Sequence, residues 1–169
     1  MDPRLPPLLA CSLLAASLGV SGCDDTCSAD ASPSIQLGQG VGGAFVPLED
    51  EQLVGLDVAP QGGFGVKTLI STTGLVAGDE ALASVQLDVL IEGALAGSFW
   101  LDETRLLCRG SSQGGLVSDV VVGFDDATYS TPDDLLLLDM QVVDLDVTVT
   151  DSEDNEANIL HSVIINAGG

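Results

Sequence analysis

Several short runs of the chain alternate apolar and polar residues with a period of two, which is the pattern of a half-buried β-strand. In the clearest run, residues 144–150, leucine and valine alternate with aspartate and threonine. A second run, residues 157–166, follows the turn-forming residues 151–156, so the two runs predict an antiparallel hairpin near the C terminus. Further strands are predicted over residues 64–71, 83–91 and 116–124.

One stretch favours a helix. Residues 132–140 (PDDLLLLDM) follow Thr131, a residue type that caps helices, and they place Asp133 and Asp134 in the first turn. The same residues also fit a short strand or a corner before the hairpin, so the sequence leaves both alternatives open.

The predicted strands and the turns between them indicate an all-β fold. Gly, Pro, Asp and Ser interrupt the apolar runs about every 8 to 12 residues, as in sandwiches and barrels. Because no crossover helices separate the strands, a parallel βαβ sheet is disfavoured. We therefore expect residues 34–169 to form one antiparallel, immunoglobulin-like β-sandwich domain.

Composition narrows the function classes. Hydrophobic residues make up 46% of the 169 residues, which excludes disorder of the whole chain. Twenty-six acidic residues face only four basic ones, for a formal charge of -22. A chain with so few cations lacks the basic surface that phosphate backbones require, so nucleic-acid binding is excluded.

The N terminus carries a targeting pattern. Arg4 precedes an apolar run over residues 8–18, and small residues then lead to Cys23 in the sequence VSGC (residues 20–23). This sequence resembles the lipobox of bacterial lipoproteins, in which an aliphatic residue and two small residues precede the lipidated cysteine. The resemblance implies that residues 1–22 are a signal peptide and that Cys23 is diacylated on sulfur, as a palmitate-type anchor. The alternative is an ordinary secretory signal that leaves Cys23 as a structural thiol.

The lipoprotein resemblance implies a location in the cell envelope. Two or three acyl chains make a stable membrane anchor, whereas one chain binds only marginally. Residues 23–33 are then the lipidated N terminus and a short flexible tether, rich in Asp, Ser and Ala. Asp24 and Asp25 resemble an inner-membrane retention signal, a rule that varies among bacteria, so the sequence leaves the membrane and the leaflet open.

Three short segments resemble a second, narrower family. The segments are residues 35–38 (IQLG), 60–64 (PQGGF) and 147–151 (VTVTD). They resemble acidic envelope lipoproteins of Gram-negative bacteria, a family with presumed immunoglobulin-like folds and no assigned activity. The Cys…Trp…Cys spacing of antibody domains is absent from this sequence.

The four cysteines can be sorted by compartment. Cys11 lies in the predicted signal peptide and Cys23 is the predicted lipidation site, which leaves Cys27 and Cys108 in an oxidising environment. We predict a Cys27–Cys108 disulfide. The alternative is that Cys27 stays free in the tether while Cys108 is a buried strand residue.

Carboxylates are the one abundant class of potential metal ligands in this sequence. Ca²⁺ is bound in proteins by oxygen ligands such as these. Two acidic loops supply the candidate ligands Asp125, Asp126, Asp151, Glu153 and Asp154. Neither loop matches an EF-hand, so the hypothesis is a site shared between loops. No other cofactor is predicted.

Catalytic patterns are weak. His161 is the only histidine, and Ser162 cannot be its partner because adjacent strand residues face opposite sides. For the same reason, one ring of the adjacent pair Phe99 and Trp100 is expected to face solvent. The glycine-rich residues 38–43 lack the Lys-Ser/Thr of a phosphate loop and predict turns or irregular edges.

We therefore expect a lipid-anchored, non-enzymatic domain that faces the periplasm or the exterior. Its role is structural, adhesive or protein-binding, with an envelope protein as the expected partner. The alternatives are a Ca²⁺-dependent binding module, such as one for glycans, and a hydrolase that uses His161 or a pair of carboxylates.

Overall fold

The computed structural model describes residues 31–41, 44–59, 63–108, 115–125, 127–129 and 131–168. Within these ranges lie ten strands: β1 (Ser34–Val41), β2 (Ala44–Pro47), β3 (Gln52–Val58), β4 (Phe64–Thr73), β5 (Leu82–Ile91), β6 (Ala94–Arg105), β7 (Leu107–Cys108), β8 (Gly115–Gly123), β9 (Val142–Thr150) and β10 (Glu156–Asn166). One short helix, α1 (Pro132–Leu136), precedes β9. The prediction of an all-β fold is confirmed.

The strands form one hydrogen-bonded sheet in the order β2-β1-β4-β3-β10-β9-β5-β6. Strand β8 pairs with β4 and carries the two-residue strand β7 on its other side. The predicted C-terminal hairpin is confirmed, because β9 and β10 pair antiparallel from Val142↔Ile164 to Thr150↔Glu156.

One strand pair departs from the predicted antiparallel arrangement. Residues 52–55 of β3 pair in parallel with residues 163–166 of β10, and residues 56–58 then pair antiparallel with β4. The sheet is therefore mixed, with β3 as the strand that passes from β10 to β4. Because a parallel pair needs a long connection, here most of the chain, no local pattern predicts it. The immunoglobulin-like sandwich stays a prediction.

The sheet curls so that its two halves share one core. Val85, Leu87 and Val89 of β5 are buried, whereas the side chains between them are exposed or partly exposed. Residues of β1, β4 and β8 belong to the same buried cluster as residues of β5, β9 and β10. The predicted alternation is confirmed in β4, β5, β9 and β10, which present alternate side chains to this common core.

The curl brings β6 back against the end of β8. Asp125 N donates a hydrogen bond to Ala96 O at 2.7 Å, just beyond the last residue of β8. At Gly97 the backbones approach so closely that an added Cβ would lie 2.1 Å from Gly123 O. A residue without a side chain is required there, which explains a glycine in the middle of a strand.

The domain has two ends, which we define by the strand register. At the near end the chain enters at Ser34, opposite Thr73, while Cys108 pairs with Gly115 and Thr150 pairs with Ser84. At the far end β5 turns into β6 between Ile91 and Ala94. The helix α1 is also at the far end, because Met140 N donates to Ile165 O near the end of β10.

Of the alternatives that the sequence leaves open for residues 132–140, the structure has the helix, but the helix is shorter than that stretch. Thr131 is its N-cap: the Thr131 hydroxyl accepts from Asp134 N at 3.3 Å, and the Asp134 carboxylate accepts from Thr131 N at 2.9 Å. This reciprocal capping box satisfies backbone donors of the first turn. The helix closes at Leu136 and turns fill the interval to Met140. No helix in the described part of the chain is both long and apolar enough to span a bilayer.

Candidate functional site

Asp151, one of the predicted Ca²⁺ ligands, is buried at the near end with 5% of its surface exposed. Its carboxylate accepts hydrogen bonds from Val76 N at 2.8 Å and from Glu153 N and Asn155 N, each at 2.9 Å. The Asn155 side-chain amide donates to it as well. Asp151 thus fastens the turn between β9 and β10 to the loop that follows β4.

These contacts determine the protonation of Asp151. Burial raises the pKa of the carboxyl group, but the hydrogen bonds from Val76, Asn155 and Glu153 outweigh that effect, so the pKa lies below its ordinary value. The group is a buried, ionised acceptor whose oxygens are already engaged by N–H donors. This arrangement is typical of a structural clamp.

The two acidic loops lie at opposite ends of the domain. Asp151 follows Thr150, which pairs with Ser84, whereas Asp125 N is bonded to Ala96, next to the partner of Val89. The interval from Ser84 to Val89 is about 17 Å of strand. The structure therefore does not bring Asp125 to Asp151.

The remaining candidate ligands do not gather either. Glu153 and Asp154 are exposed in the near-end turn, and Asp126 lies outside the described residues. Asp125 accepts from Ala127 N at 3.2 Å and from the Thr128 hydroxyl at 3.0 Å. Among the residues that the structure describes, no group of three or more His, Cys, Asp or Glu could hold a metal ion.

Cys108 is in a disulfide. Its Sγ lies 3.4 Å from Ala77 O, beside the loop that follows β4. The lipidation candidate Cys23 and the predicted disulfide partner Cys27 both lie outside the described residues. A disulfide sulfur is not a nucleophilic thiolate, so Cys108 in this state is not available as a catalytic nucleophile.

The chain leading into β1 runs against the same loop. A Cβ added at Gly74, where φ is +65°, would lie 2.3 Å from Ala31 O and 2.6 Å from Ser32 O. The positive φ and the close approach both require glycine at this position. The segment before β1 is therefore held beside the loop that carries Val76 and Ala77.

His161 lines a cleft of about 450 Å³ between β1 and β10, together with Ile35, Leu48, Ser71 and Ile159. Its Nε2 lies 3.2 Å from Glu49 O. The following residue, Ser162, faces the other side of the sheet, where its hydroxyl donates to Asp144 Oδ1 at 2.6 Å. The expectation that these two residues cannot act together is confirmed.

The adjacent aromatic pair also divides as expected. Phe99 packs against the core, whereas Trp100 is 55% exposed and its Nε1 donates to Asp102. Trp100 lies on the outer face of the sheet, opposite Gln86 of β5.

The outer face also carries an acidic pair that sequence reasoning missed. Asp88 and Asp146 lie directly opposite each other on β5 and β9. Each carboxylate accepts a hydrogen bond from a neighbouring strand, Asp88 from Ser98 at 2.5 Å and Asp146 from Asn158 at 2.9 Å. Like charges placed opposite one another are unfavourable, and these polar neighbours offset part of that cost.

Exposed apolar side chains collect at the far end, a second feature that sequence reasoning missed. They include Val58, Leu95, Leu136, Leu137, Met140 and Val142. At the near end, the large apolar side chains that are exposed in the described residues are Leu82 and Leu107. The run of four leucines at residues 135–138 could have predicted this exposed surface, because a single turn of helix cannot bury all four side chains.

The division within the leucine run sets the far-end surface. Leu135 and Leu138 face the core, with Leu138 only 1% exposed, whereas Leu136 and Leu137 face solvent, with Leu137 70% exposed. We call Leu136, Leu137, Met140 and Val142 the far-end apolar segment.

No protein-family model matches the chain, and the search of curated proteins returns no match either.

Proposed function

We propose that this chain is a lipid-anchored domain of the bacterial cell envelope that holds a protein-binding surface away from the membrane and carries out no catalysis. One observation carries the proposal: the chain enters the domain at the near end, and the exposed apolar segment lies at the other end. A domain attached through its N terminus presents such a surface to partners rather than to lipid.

The anchor rests on the lipobox resemblance at residues 20–23. Strand β1 begins at Ser34, so 10 residues separate Cys23 from the first strand. Acyl chains on Cys23 would keep the domain at the membrane surface with a stability that grows with each buried methylene group.

The protein partner is supported by the far-end apolar segment. Contiguous exposed apolar side chains next to polar ones are characteristic of protein contact sites. The surrounding chain is strongly acidic, at -22 overall, which discourages self-association and favours a different protein as the partner. The separation of His161 from Ser162 and the oxidised state of Cys108 support a non-catalytic role.

Membrane partition tests the anchor. The full precursor is expressed in a host with lipoprotein processing, as wild type, Cys23→Ser and Cys27→Ser. We expect wild type and Cys27→Ser to sediment with membranes and to be released by detergent, whereas Cys23→Ser is released without detergent because it lacks the acyl chains. Equal partition of all three variants would contradict the anchor.

Site-specific crosslinking in living host cells tests the contact surface. A photo-reactive amino acid replaces Leu137 in the far-end apolar segment or, as a matched control, Leu82, which is 40% exposed at the near end. We expect one discrete adduct with an envelope protein from position 137 and none from position 82. Adducts of the same pattern from both positions, or from neither, would overturn the proposal.

A further inference from the structure

We infer that Met140 is the anchor residue of the far-end apolar segment, and that its partner is a protein surface with an apolar pocket bordered by Lys or Arg. This role for Met140 rests on the proposed contact surface but not on the proposed lipid anchor. It adds to the contact surface the residue that carries most of the contact and the charge of the partner.

Met140 has a backbone conformation that its residue type rarely adopts. Its φ is +60°, in the left-handed region, where a Cβ atom crowds the backbone and where glycine or asparagine is the usual residue after a helix. The other non-glycine residues with positive φ in the described chain are all acidic: Glu51, Glu92, Glu103 and Asp154. Met140 is thus the apolar side chain that the described chain places on a strained backbone.

Two backbone hydrogen bonds hold the turn at Met140 in place. Met140 N donates to Ile165 O at 2.8 Å, and Ile165 N donates to Gln141 O at 3.0 Å, so the turn is fastened to the end of β10. The Met140 side chain gains little from the fold, because 63% of its surface stays exposed. Glycine would serve folding at least as well, whereas a methionine held outward is ready to enter an apolar pocket, to which its flexible side chain adapts.

Carboxylates border the far-end apolar segment. Asp133 lies on the same side of α1 as the two exposed leucines, because it precedes them by three and four residues. Asp139, the residue before Met140, is exposed. Asp144 lies on the outer face of β9, two residues after the last member of the segment. The apolar side chains therefore lie among negative charges.

The chain supplies few cations to offset these carboxylates. Residues 110–169 contain neither lysine nor arginine. The lysine and arginine within the described part of the chain are Lys67, in β4, and Arg105, which pairs with Leu82 at the near end. A second copy of the chain would bring a further charge of -22, and anionic lipid headgroups would be repelled as well. A surface that complements the far end therefore carries Lys or Arg around the pocket that receives Met140.

The first experiment separates contact from folding. The photo-reactive amino acid stays at position 137, and Met140 is either kept or changed by Met140→Gly or Met140→Asn, two residue types that accept a positive φ. We expect either substitution to lower the yield of the protein adduct in living host cells about tenfold or more, as for a central interface residue, while the urea midpoint stays close to that with Met140. An undiminished adduct, or a clear loss of stability, would overturn the role of Met140.

The second experiment tests the charge of the partner with two triple variants that remove the same charge from opposite ends of the domain. The far-end set is Asp133→Asn, Asp139→Asn and Asp144→Asn. The control set changes three exposed near-end residues and is Asp79→Asn, Glu153→Gln and Asp154→Asn. We expect the far-end set to lower the adduct yield several-fold and the control set to leave it unchanged. Equal yields from the two sets would overturn the basic border of the partner.

The chain with Met140 in place distinguishes this inference from the proposed function. If the adduct forms equally with Met140 and in Met140→Gly, the contact surface stands and the anchor role of Met140 fails. If position 137 gives no protein adduct with Met140 in place, the contact surface fails and the anchor role fails with it. An adduct with the mass of a phospholipid, in place of a protein, would overturn both.

Discussion

At the near end, the turn after β9 is fixed by a buried carboxylate that accepts from three backbone N–H groups and a side-chain amide. At the far end, the corresponding acidic residue, Asp125, is exposed and accepts one backbone and one hydroxyl hydrogen bond. The near end also holds the disulfide-bonded Cys108, whereas the far end holds the exposed leucines that follow Thr131.

The contrast separates two uses of polar and apolar residues. Near the chain entry, carboxylate and cysteine side chains join segments far apart in sequence, such as Val76 and Asp151. At the other end, Leu136 and Leu137 stay exposed, although the neighbouring residues Leu135 and Leu138 are buried in the core. The near end is thus fastened by contacts between distant segments, whereas the far end leaves apolar side chains exposed.

The largest expected effect comes from the disulfide. Cys108→Ser removes a cross-link that, with Cys27 as its partner, closes a loop of about 80 residues, and we expect a loss of roughly 4.5 kcal/mol in the free energy of unfolding. Urea unfolding measures the total. Amide hydrogen exchange should locate the loss, because we expect exchange to become faster at the Val76 amide than at the Asp125 amide. An equal increase in the exchange rate at both amides would contradict the difference between the two ends.

The next effect comes from the buried carboxylate. Asp151→Ala leaves the N–H groups of Val76, Glu153 and Asn155 without their acceptor, so we expect the free energy of unfolding to fall by about 3 kcal/mol. The matched far-end change, Asp125→Ala, should cost less than about 1 kcal/mol because that residue is exposed. Urea unfolding of the two variants compares them, and similar losses would show that the ends do not differ in this way.

The smallest effect is the pH dependence of the same clamp. Because the pKa of Asp151 is lowered in the folded state, its stabilisation is fully present above the ordinary aspartate pKa and is lost as pH falls through the lowered folded pKa. Asp151→Asn cannot titrate, so the stability difference between wild type and this variant should shrink on acidification. Urea midpoints from neutral pH down to about pH 3 measure it, and a constant difference would refute the assignment.

The sequence was informative where structure depends on local pattern. The alternation over residues 144–150 predicted the face that Leu145, Val147 and Val149 bury, and the turn residues after it predicted the hairpin. Thr131 and the acidic first turn marked the start of the helix, which was one of the alternatives that the sequence left open.

Contacts between segments that are far apart in the sequence could not be predicted. Nothing local to residues 52–58 indicates that β3 pairs in parallel with β10 and then passes to β4. The buried role of Asp151 depends on Val76, 75 residues away, so its carboxylate looked like any other in an acidic turn. The separation of Asp125 from Asp151 likewise depends on strand register rather than on composition.

The most direct test of an anchored near end is the intact mass of the chain purified from membranes, measured before and after reduction. We expect a chain that begins at Cys23, carries two or three acyl chains and gains the mass of two hydrogen atoms on reduction. Cys23→Ser should lose the acyl mass and keep the gain on reduction. An unmodified secreted chain, or a mass that reduction leaves unchanged, would contradict it.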